Sequence, residues 1–144
     1  PERKASGRPY AAPPWVYDIK QDLPAGQTHW FIDELPSGRA TFHALLPGPL
    51  AAMKVEMPDK GARGGGVKVR ISVPEARGRH AIRIAAARPD GSPARFWTQN
   101  VLVDQSPVEI LLPVAWNDPS GVWSLTFRDV FGSETAITRT FTLE

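Results

Sequence analysis

Short apolar segments, separated by proline, glycine, aspartate and serine, recur along the chain and predict an all-β protein. In the clearest of them Val67, Val69, Ile71 and Val73 alternate with polar residues, which places the apolar side chains on one face of a strand. The predicted strands cover residues 15–19, 29–32, 40–46, 50–57, 67–73, 80–86, 96–103, 108–112, 122–130 and 136–143.

One of these strands has a helical alternative. Residues 80–87 contain several good helix formers, but the segment is short and ends at the turn sequence Arg-Pro-Asp-Gly of residues 88–91. A strand is therefore favoured here.

The spacing of the segments predicts an antiparallel, immunoglobulin-like β-sandwich of about seven strands over residues 50–144. Residues 1–14 are polar and rich in proline and glycine, as expected of a linker or an extended arm. Residues 15–49 add two or three strands, which either close a preceding β-domain or pack on the sandwich. At 42% hydrophobic, the chain has enough apolar residues for a real core.

The C-terminal hairpin allows a prediction of strand register. Its two strands each have one apolar face, and a slip of one residue would turn one of those faces toward water. The predicted register leaves a three-residue loop at Gly132–Glu134. Its pairs are Trp123 with Leu143, Leu125 with Phe141, and Phe127 with Arg139.

The same register places Asp129 diagonally next to Arg139, within reach of a long side chain. It predicts an ion pair between them near the rim of the sandwich, which contributes little to stability if it is exposed.

The net charge of +2 is unevenly distributed. Residues 60–95 contain nine Lys and Arg against two acidic residues, whereas residues 96–144 contain two against six. A basic stretch can bind an anionic partner, but a solvated face is favoured. In an immunoglobulin-like topology the strands at 67–73 and 80–86 belong to opposite sheets, which divides the basic stretch and disfavours nucleic acid as a partner.

The absence of cysteine excludes disulfides, thiolate zinc sites and a cysteine nucleophile. No segment contains the run of about 18 apolar residues that a membrane span needs, and no signal peptide is present. Membrane insertion is therefore not expected. A chain that begins at Pro1 is expected to be an excised or processed part of a longer protein.

No catalytic constellation emerges from the sequence. A glycosidase needs two carboxylates across a cleft; Asp33 and Glu34 are the adjacent acidic pair, but consecutive strand residues face opposite ways. A nucleophile elbow, a phosphate-binding loop and a dinucleotide fingerprint are all missing. No catalytic residue and no cofactor are predicted.

A metal site is not predicted either. His29, His43 and His80 lie far apart and have no metal-ligand spacing. Oxygen donors in predicted loops could hold Ca²⁺ if two loops converge, although loop capping is favoured. These donors are Asp90, Asp104, Asn117 and Asp118.

The segment Asn117-Asp118-Pro119-Ser120-Gly121-Val122-Trp123 is dense in turn residues and leads into the hairpin. It resembles the corner at the start of strand F in immunoglobulin-like domains, with Trp123 where tyrosine is usual. Asp118, Gly121 and Trp123 are thus predicted to be structural residues.

A longer stretch, from Asn100 to Ser133, resembles a region of large bacterial proteins related to β-galactosidase-like glycoside hydrolases. That region is the non-catalytic β-sandwich near their C-terminus. The stretch includes this turn and the segment Arg128-Asp129-Val130-Phe131-Gly132-Ser133. Trp15-Val16-Tyr17-Asp18 and Phe42-His43-Ala44-Leu45-Leu46-Pro47 resemble the closing strands of the preceding β-domain in such proteins. The resemblance implies an accessory role and brings no catalytic residue with it.

Exposed tryptophans are the best candidates for ligand binding, because sugar rings stack on flat aromatic surfaces. Trp97 and Trp116, together with Trp30, would form the platform of a carbohydrate-binding module. The alternative, that these residues pack at the ends of the sandwich, is favoured.

The function expected from the sequence is that of a non-catalytic accessory domain of a larger extracytoplasmic bacterial protein, secreted or periplasmic. Its partners would be the neighbouring domains of that protein. The alternatives are polysaccharide binding through exposed tryptophans and a basic surface for an anionic partner.

Overall fold

The computed structural model describes residues 12–21, 23–33 and 37–144. These residues form β1 (Trp15–Asp18), β2 (Leu23–Gln27), β3 (His43–Leu46), β4 (Lys54–Glu56), β5 (Lys60–Gly61), β6 (Gly66–Ser72), β7 (His80–Ala87), a 3-10 turn (Arg95–Trp97), β8 (Gln99–Val103), β9 (Val108–Pro113), β10 (Gly121–Asp129) and β11 (Gly132–Leu143). The predicted linker lies almost wholly outside the described residues.

Two sheets form the sandwich. One has the strand order β5-β11-β10-β7-β8 and the other the order β4-β6-β9. The pairs are antiparallel except for β5 and β11, which run parallel. The prediction of an all-β sandwich is confirmed, and residues 80–87 are a strand.

The inner faces of the two sheets share one apolar core. Val67, Val69 and Ile71 of β6 are completely buried, whereas Lys68 and Arg70 between them are exposed. This is the alternation that a strand with one solvated face requires. The same pattern on β7 and β10 provides the other wall of the core.

Three aromatic rings fill one region of this core. The ring centroid of Trp97 lies 4.8 Å from that of Trp123 and 5.9 Å from that of Phe141, and those of Trp123 and Phe141 are 6.3 Å apart. Large aromatic side chains bury more apolar area than any others, so this cluster is a principal source of stability.

The N-terminal strands form a separate sheet with the order β2-β1-β3. Its small core consists of Tyr17, Ala44 and Leu50, and Phe131 from the tip of the C-terminal hairpin packs against it. The sheet therefore contacts the sandwich. Whether it also closes a preceding domain stays a prediction.

One strand prediction in this region was wrong, and one strand was not predicted. Residues 29–32 are not a strand, whereas β2 (Leu23–Gln27) is one although it contains Pro24 and Gly26. Both residue types are unfavourable inside a strand. Here they are accommodated at the edge of the sheet, where β1 has a bulge between Val16 and Tyr17.

The predicted hairpin register is wrong by two residues. In the structure Trp123 pairs with Phe141, and the turn at Val130 and Phe131 is tighter than the predicted loop at Gly132–Glu134. A slip of two residues keeps both apolar faces together, so alternation cannot distinguish the two registers. The observed pairs are Trp123–Phe141, Leu125–Arg139, Phe127–Ile137 and, beyond an irregularity in the pairing, Asp129–Gly132.

Candidate functional site

The turn at residues 115–123 is held by side chains that the sequence singled out. Oδ2 of Asp118 accepts a hydrogen bond from the backbone N–H of Ala115 at 2.8 Å. Gly121 has a φ of 126°, which side-chain-bearing residues rarely adopt. The turn thus closes on itself before β10 begins.

Trp123 is completely buried, as predicted, and its indole Nε1–H donates to the carbonyl of Pro119 at 2.9 Å. Tyrosine corners are closed by a hydroxyl that bonds to the backbone a few residues upstream. The indole of Trp123 likewise donates to a backbone carbonyl a few residues upstream.

Trp97 is also buried, with 1% of its surface exposed, and its Nε1–H donates to the carbonyl of Pro113 at 2.8 Å. It therefore packs in the core, in line with the favoured alternative, and does not belong to a ligand-binding platform. The physical reason is the 3-10 turn Arg95–Trp97, in which Phe96 is exposed while Trp97 enters the core.

Trp116 remains a candidate, because 77% of its surface is exposed. Its indole lies against the backbone of Gly64, so closely that a Cβ on that glycine would be 2.3 Å from the ring. Gly64 has a φ of 72° and donates its backbone N–H to the carbonyl of Val114 at 3.0 Å. The loop before β6 thus supports an indole that is otherwise open to solvent.

Trp30, which is 74% exposed, lies in the N-terminal segment. Neither it nor Trp116 is in ring contact with another aromatic side chain of the described residues. Of the three candidate tryptophans, two are therefore exposed, and they do not form a stacked pair.

The predicted ion pair between Asp129 and Arg139 is not formed. Oδ2 of Asp129 instead lies 2.6 Å from Nδ1 of His80, and both side chains are buried. Oδ1 accepts the backbone N–H of Phe131 at 3.0 Å. The true register explains the error, since Arg139 pairs with Leu125 and is exposed, away from the carboxylate.

A cluster that sequence spacing could not reveal lies on the N-terminal sheet. One ligand atom from each of Asp18, Asp33 and His43 lies within 4.8 Å of the others. Asp18 and His43 are direct partners across β1 and β3, and Oδ2 of Asp33 is 3.6 Å from Nε2 of His43. All three residues are half-buried.

Asp18 is held in its charged form. Its Oδ1 accepts the backbone N–H groups of Gln21 and Lys20, each at 2.9 Å. These hydrogen bonds, the one from Gln21 first, lower the pKa of Asp18 below its ordinary value.

Tyr17 anchors the segment between β3 and β4. Its hydroxyl oxygen accepts the backbone N–H of Leu50 at 2.9 Å. Burial raises the pKa of this hydroxyl above its ordinary value, which keeps the group neutral.

Two open depressions, of about 510 and 500 Å³, flank Arg77 and Gln105. The first is lined by one acidic residue, Asp104, and the second by one, Glu75. Neither depression therefore brings together two carboxylates from the described residues. Glu34, which was considered with Asp33 as an acidic pair, lies outside those residues.

Among the described residues, Asp90, Asp104 and Asp118 do not belong to a group of three or more His, Cys, Asp or Glu side chains whose ligand atoms converge. Asp90, Asp104 and Asp118 accept backbone N–H groups within their own turns. This is the loop capping that the sequence favoured over calcium binding.

The comparisons with known proteins provide little further information. No family model and no curated protein matches the chain. Among solved structures, a proposed superoxide reductase from Thermotoga maritima shares 15% identity over 67% of this chain and 88% of its own, with a TM-score of 0.44. A likeness of this size carries no argument about activity. In the described part of the chain, no helix has the length and apolarity needed to cross a bilayer.

Proposed function

We propose that this chain is a non-catalytic accessory domain of a larger extracytoplasmic bacterial protein and that it packs against a neighbouring domain. The observation that carries the proposal is an exposed apolar group on the N-terminal segment. This N-terminal apolar group consists of Trp30, Phe31, Ile32, Phe42 and Leu45.

The exposure of these side chains is high. Ile32 is 89% exposed and Phe42 is 61% exposed, although both are large and apolar. Trp30, Phe31 and Ile32 are consecutive in the chain, and burying apolar surface contributes about 25 cal/mol per Å², so coverage of this segment by a partner would be favourable. A neighbouring domain of the same protein would cover these side chains.

The order of the strands supports an immunoglobulin-like assignment for the sandwich. The sheet β4-β6-β9 corresponds to strands A, B and E, and β11-β10-β7-β8 to strands G, F, C and C′. The hydrogen bond from Trp123 to Pro119 lies where a tyrosine corner would lie. Domains of this kind are common spacers in multidomain proteins, but fold alone does not assign function.

Hydroxyl-radical footprinting of the 144-residue chain and of its longer parent protein tests the proposal. We expect the labelling of Trp30 and Phe42 to fall several-fold in the parent, because the neighbouring domain covers them. Trp116 is the matched control, since it is equally exposed but lies outside the N-terminal apolar group. Equal labelling of Trp30 in both proteins would contradict the proposal.

Carbohydrate binding is the second candidate, and the support of Trp116 by Gly64 is the observation that favours it. An exposed indole that packs against a backbone on one side provides a stacking surface for a sugar ring, and that contact lowers the entropic cost of ordering the side chain. The exposed position alone would not distinguish Trp116 from Trp30.

Affinity electrophoresis in a panel of soluble polysaccharides tests this candidate. We expect retardation of the wild-type chain to be lost in Trp116→Ala and weakened in Gly64→Ala, whose Cβ would displace the indole. Trp30→Ala should migrate as the wild type does. If no polysaccharide retards the wild-type chain, the carbohydrate candidate fails and the accessory role is unaffected.

A basic surface for an anionic partner is not supported by the arrangement of the sheets. Lys68 and Arg70 lie on β6, in the three-stranded sheet, whereas Arg83 lies on β7, in the five-stranded sheet. The outward-facing charges of the two strands consequently point to opposite sides of the sandwich.

A further inference from the structure

We infer that Asp18, Asp33 and His43 form a binding site for a divalent transition-metal ion, with Zn²⁺ as the representative. The site lies on the N-terminal sheet, and the inference does not rest on the accessory role proposed above. It rests on the placement, the spacing and the chemistry of the three side chains.

The fold brings the ligands together from three separate parts of the chain. Asp18 ends β1, His43 begins β3, and the two residues are partners in the antiparallel pair. Directly opposed side chains in such a pair have Cβ atoms about 5 Å apart, which fits two ligands of one ion. Asp33 approaches from the segment that follows β2.

The distance between His43 and Asp33 suits an intervening ion better than a direct hydrogen bond. Two ligand atoms at about 2.0–2.1 Å from a tetrahedral ion are about 3.4 Å apart, close to the observed 3.6 Å. The same protein contains a histidine and an aspartate in direct contact, His80 and Asp129, at 2.6 Å. The longer distance between His43 and Asp33 leaves room for an ion between the two side chains, which the buried pair does not have.

The surroundings hold the ligands in place. The two backbone hydrogen bonds to Asp18 orient its carboxylate, and the ring of Phe31 lies 4.5 Å from that of His43. His43 and Asp33 have side-chain exposures of only 16% and 19%, so water competes weakly for them. Orienting contacts of this kind around the ligands are typical of metal sites.

The donor set determines the class of metal. One imidazole nitrogen with two carboxylate oxygens suits zinc and its first-row neighbours, whereas Ca²⁺ and Mg²⁺ prefer oxygen ligands alone. Three protein ligands leave at least one position for water. The ion would also connect the segment that bears Trp30 and Phe31 to β1 and β3.

Titration of the metal-free 144-residue chain with Co²⁺, followed by visible absorption, tests the inference, with Zn²⁺ competition to confirm the site. We expect one ion per chain, and at least tenfold weaker binding in His43→Ala and in Asp18→Asn. His29→Ala is the matched control, because His29 is an exposed histidine of the same segment and is outside the cluster. This control should bind as the wild type does.

Thermal unfolding distinguishes loss of the site from loss of the fold. We expect Zn²⁺ to raise the unfolding temperature of the wild-type chain and of His29→Ala, but not that of His43→Ala. Asp33→Asn, a change in a connecting segment, provides a second variant if His43→Ala does not fold. Absence of Co²⁺ absorption in the wild-type chain, or binding that both His43→Ala and Asp33→Asn retain, would overturn the inference.

Discussion

Asp129 and His80 form a buried hydrogen-bonded pair, with Oδ2 of the aspartate 2.6 Å from Nδ1 of the histidine. Removing one partner leaves the other without compensation in the interior. We expect Asp129→Ala to lower the free energy of unfolding by on the order of 3 kcal/mol. Urea denaturation measures the change.

Arg139→Ala is the control for this prediction, because Arg139 is exposed and is the partner that the sequence predicts for Asp129. Its effect should stay within about 0.5 kcal/mol. A large effect of Arg139→Ala, or a small one of Asp129→Ala, would contradict the pairing.

The hydrogen bond from Trp123 to Pro119 closes the turn before β10. We expect Trp123→Phe to destabilise the chain by about 1–3 kcal/mol, since a hydrogen bond is lost and a small cavity remains. Trp116→Phe makes the same chemical change at an exposed position and should be nearly neutral. Thermal unfolding of the two variants side by side provides the measurement, and equal losses would contradict the assigned role of Trp123.

The hydroxyl of Tyr17 is the hydrogen-bond acceptor for the backbone N–H of Leu50. Tyr17→Phe removes that acceptor and leaves a buried donor unpaired, at a cost of about 1–3 kcal/mol. Hydrogen exchange followed by NMR should show faster exchange at the Leu50 amide. The Val69 amide, in the sandwich core, is the internal reference, and unchanged protection at Leu50 would refute the prediction.

Asp90 gives a pH dependence whose sign can be derived. The hydroxyl and the backbone N–H of Ser92 donate to its carboxylate, and they lower its pKa in the folded state. The resulting stabilisation is present above the unfolded pKa and is lost as the pH falls through the lower folded pKa. We expect the advantage of the wild type over Asp90→Asn to be present at pH 7 and to fade below about pH 4. Urea titrations across this range provide the measurement, and an advantage that grew in acid would show the sign to be wrong.

The structure could be predicted from the sequence wherever it depends on local alternation and on turn-forming residues. The valines of β6 alternate strictly, and the turn residues around Asp118 and Gly121 define where β10 begins. In both places the local preference and the tertiary packing agree, so the all-β class and the burial of Trp123 could be predicted.

The failures have physical causes that lie beyond one strand. The hairpin register differs from the prediction by two residues, a change that leaves the alternation of both strands intact. Phe131 packs on the N-terminal sheet, and this contact outside the hairpin cannot be read from the pattern of residues 122–143. The one turn of 3-10 helix at Arg95–Trp97 replaces the start of the strand expected at residues 96–103, although the burial of Trp97 agrees with the favoured alternative. The cluster of Asp18, Asp33 and His43 depends on the pairing of β1 with β3, which is a long-range contact.

The short parallel pair of β5 and β11 determines how the sandwich would respond to mechanical tension. The backbone N–H groups of Thr142 and Glu144 donate to the carbonyls of Asp59 and Gly61 at 2.8 and 3.2 Å. Because the strands run parallel, a force that pulls residues before β5 away from the C-terminal end of β11 acts along both strands. The two hydrogen bonds are then loaded in shear and must break together, so a strand of two residues acts as a mechanical clamp on the final strand.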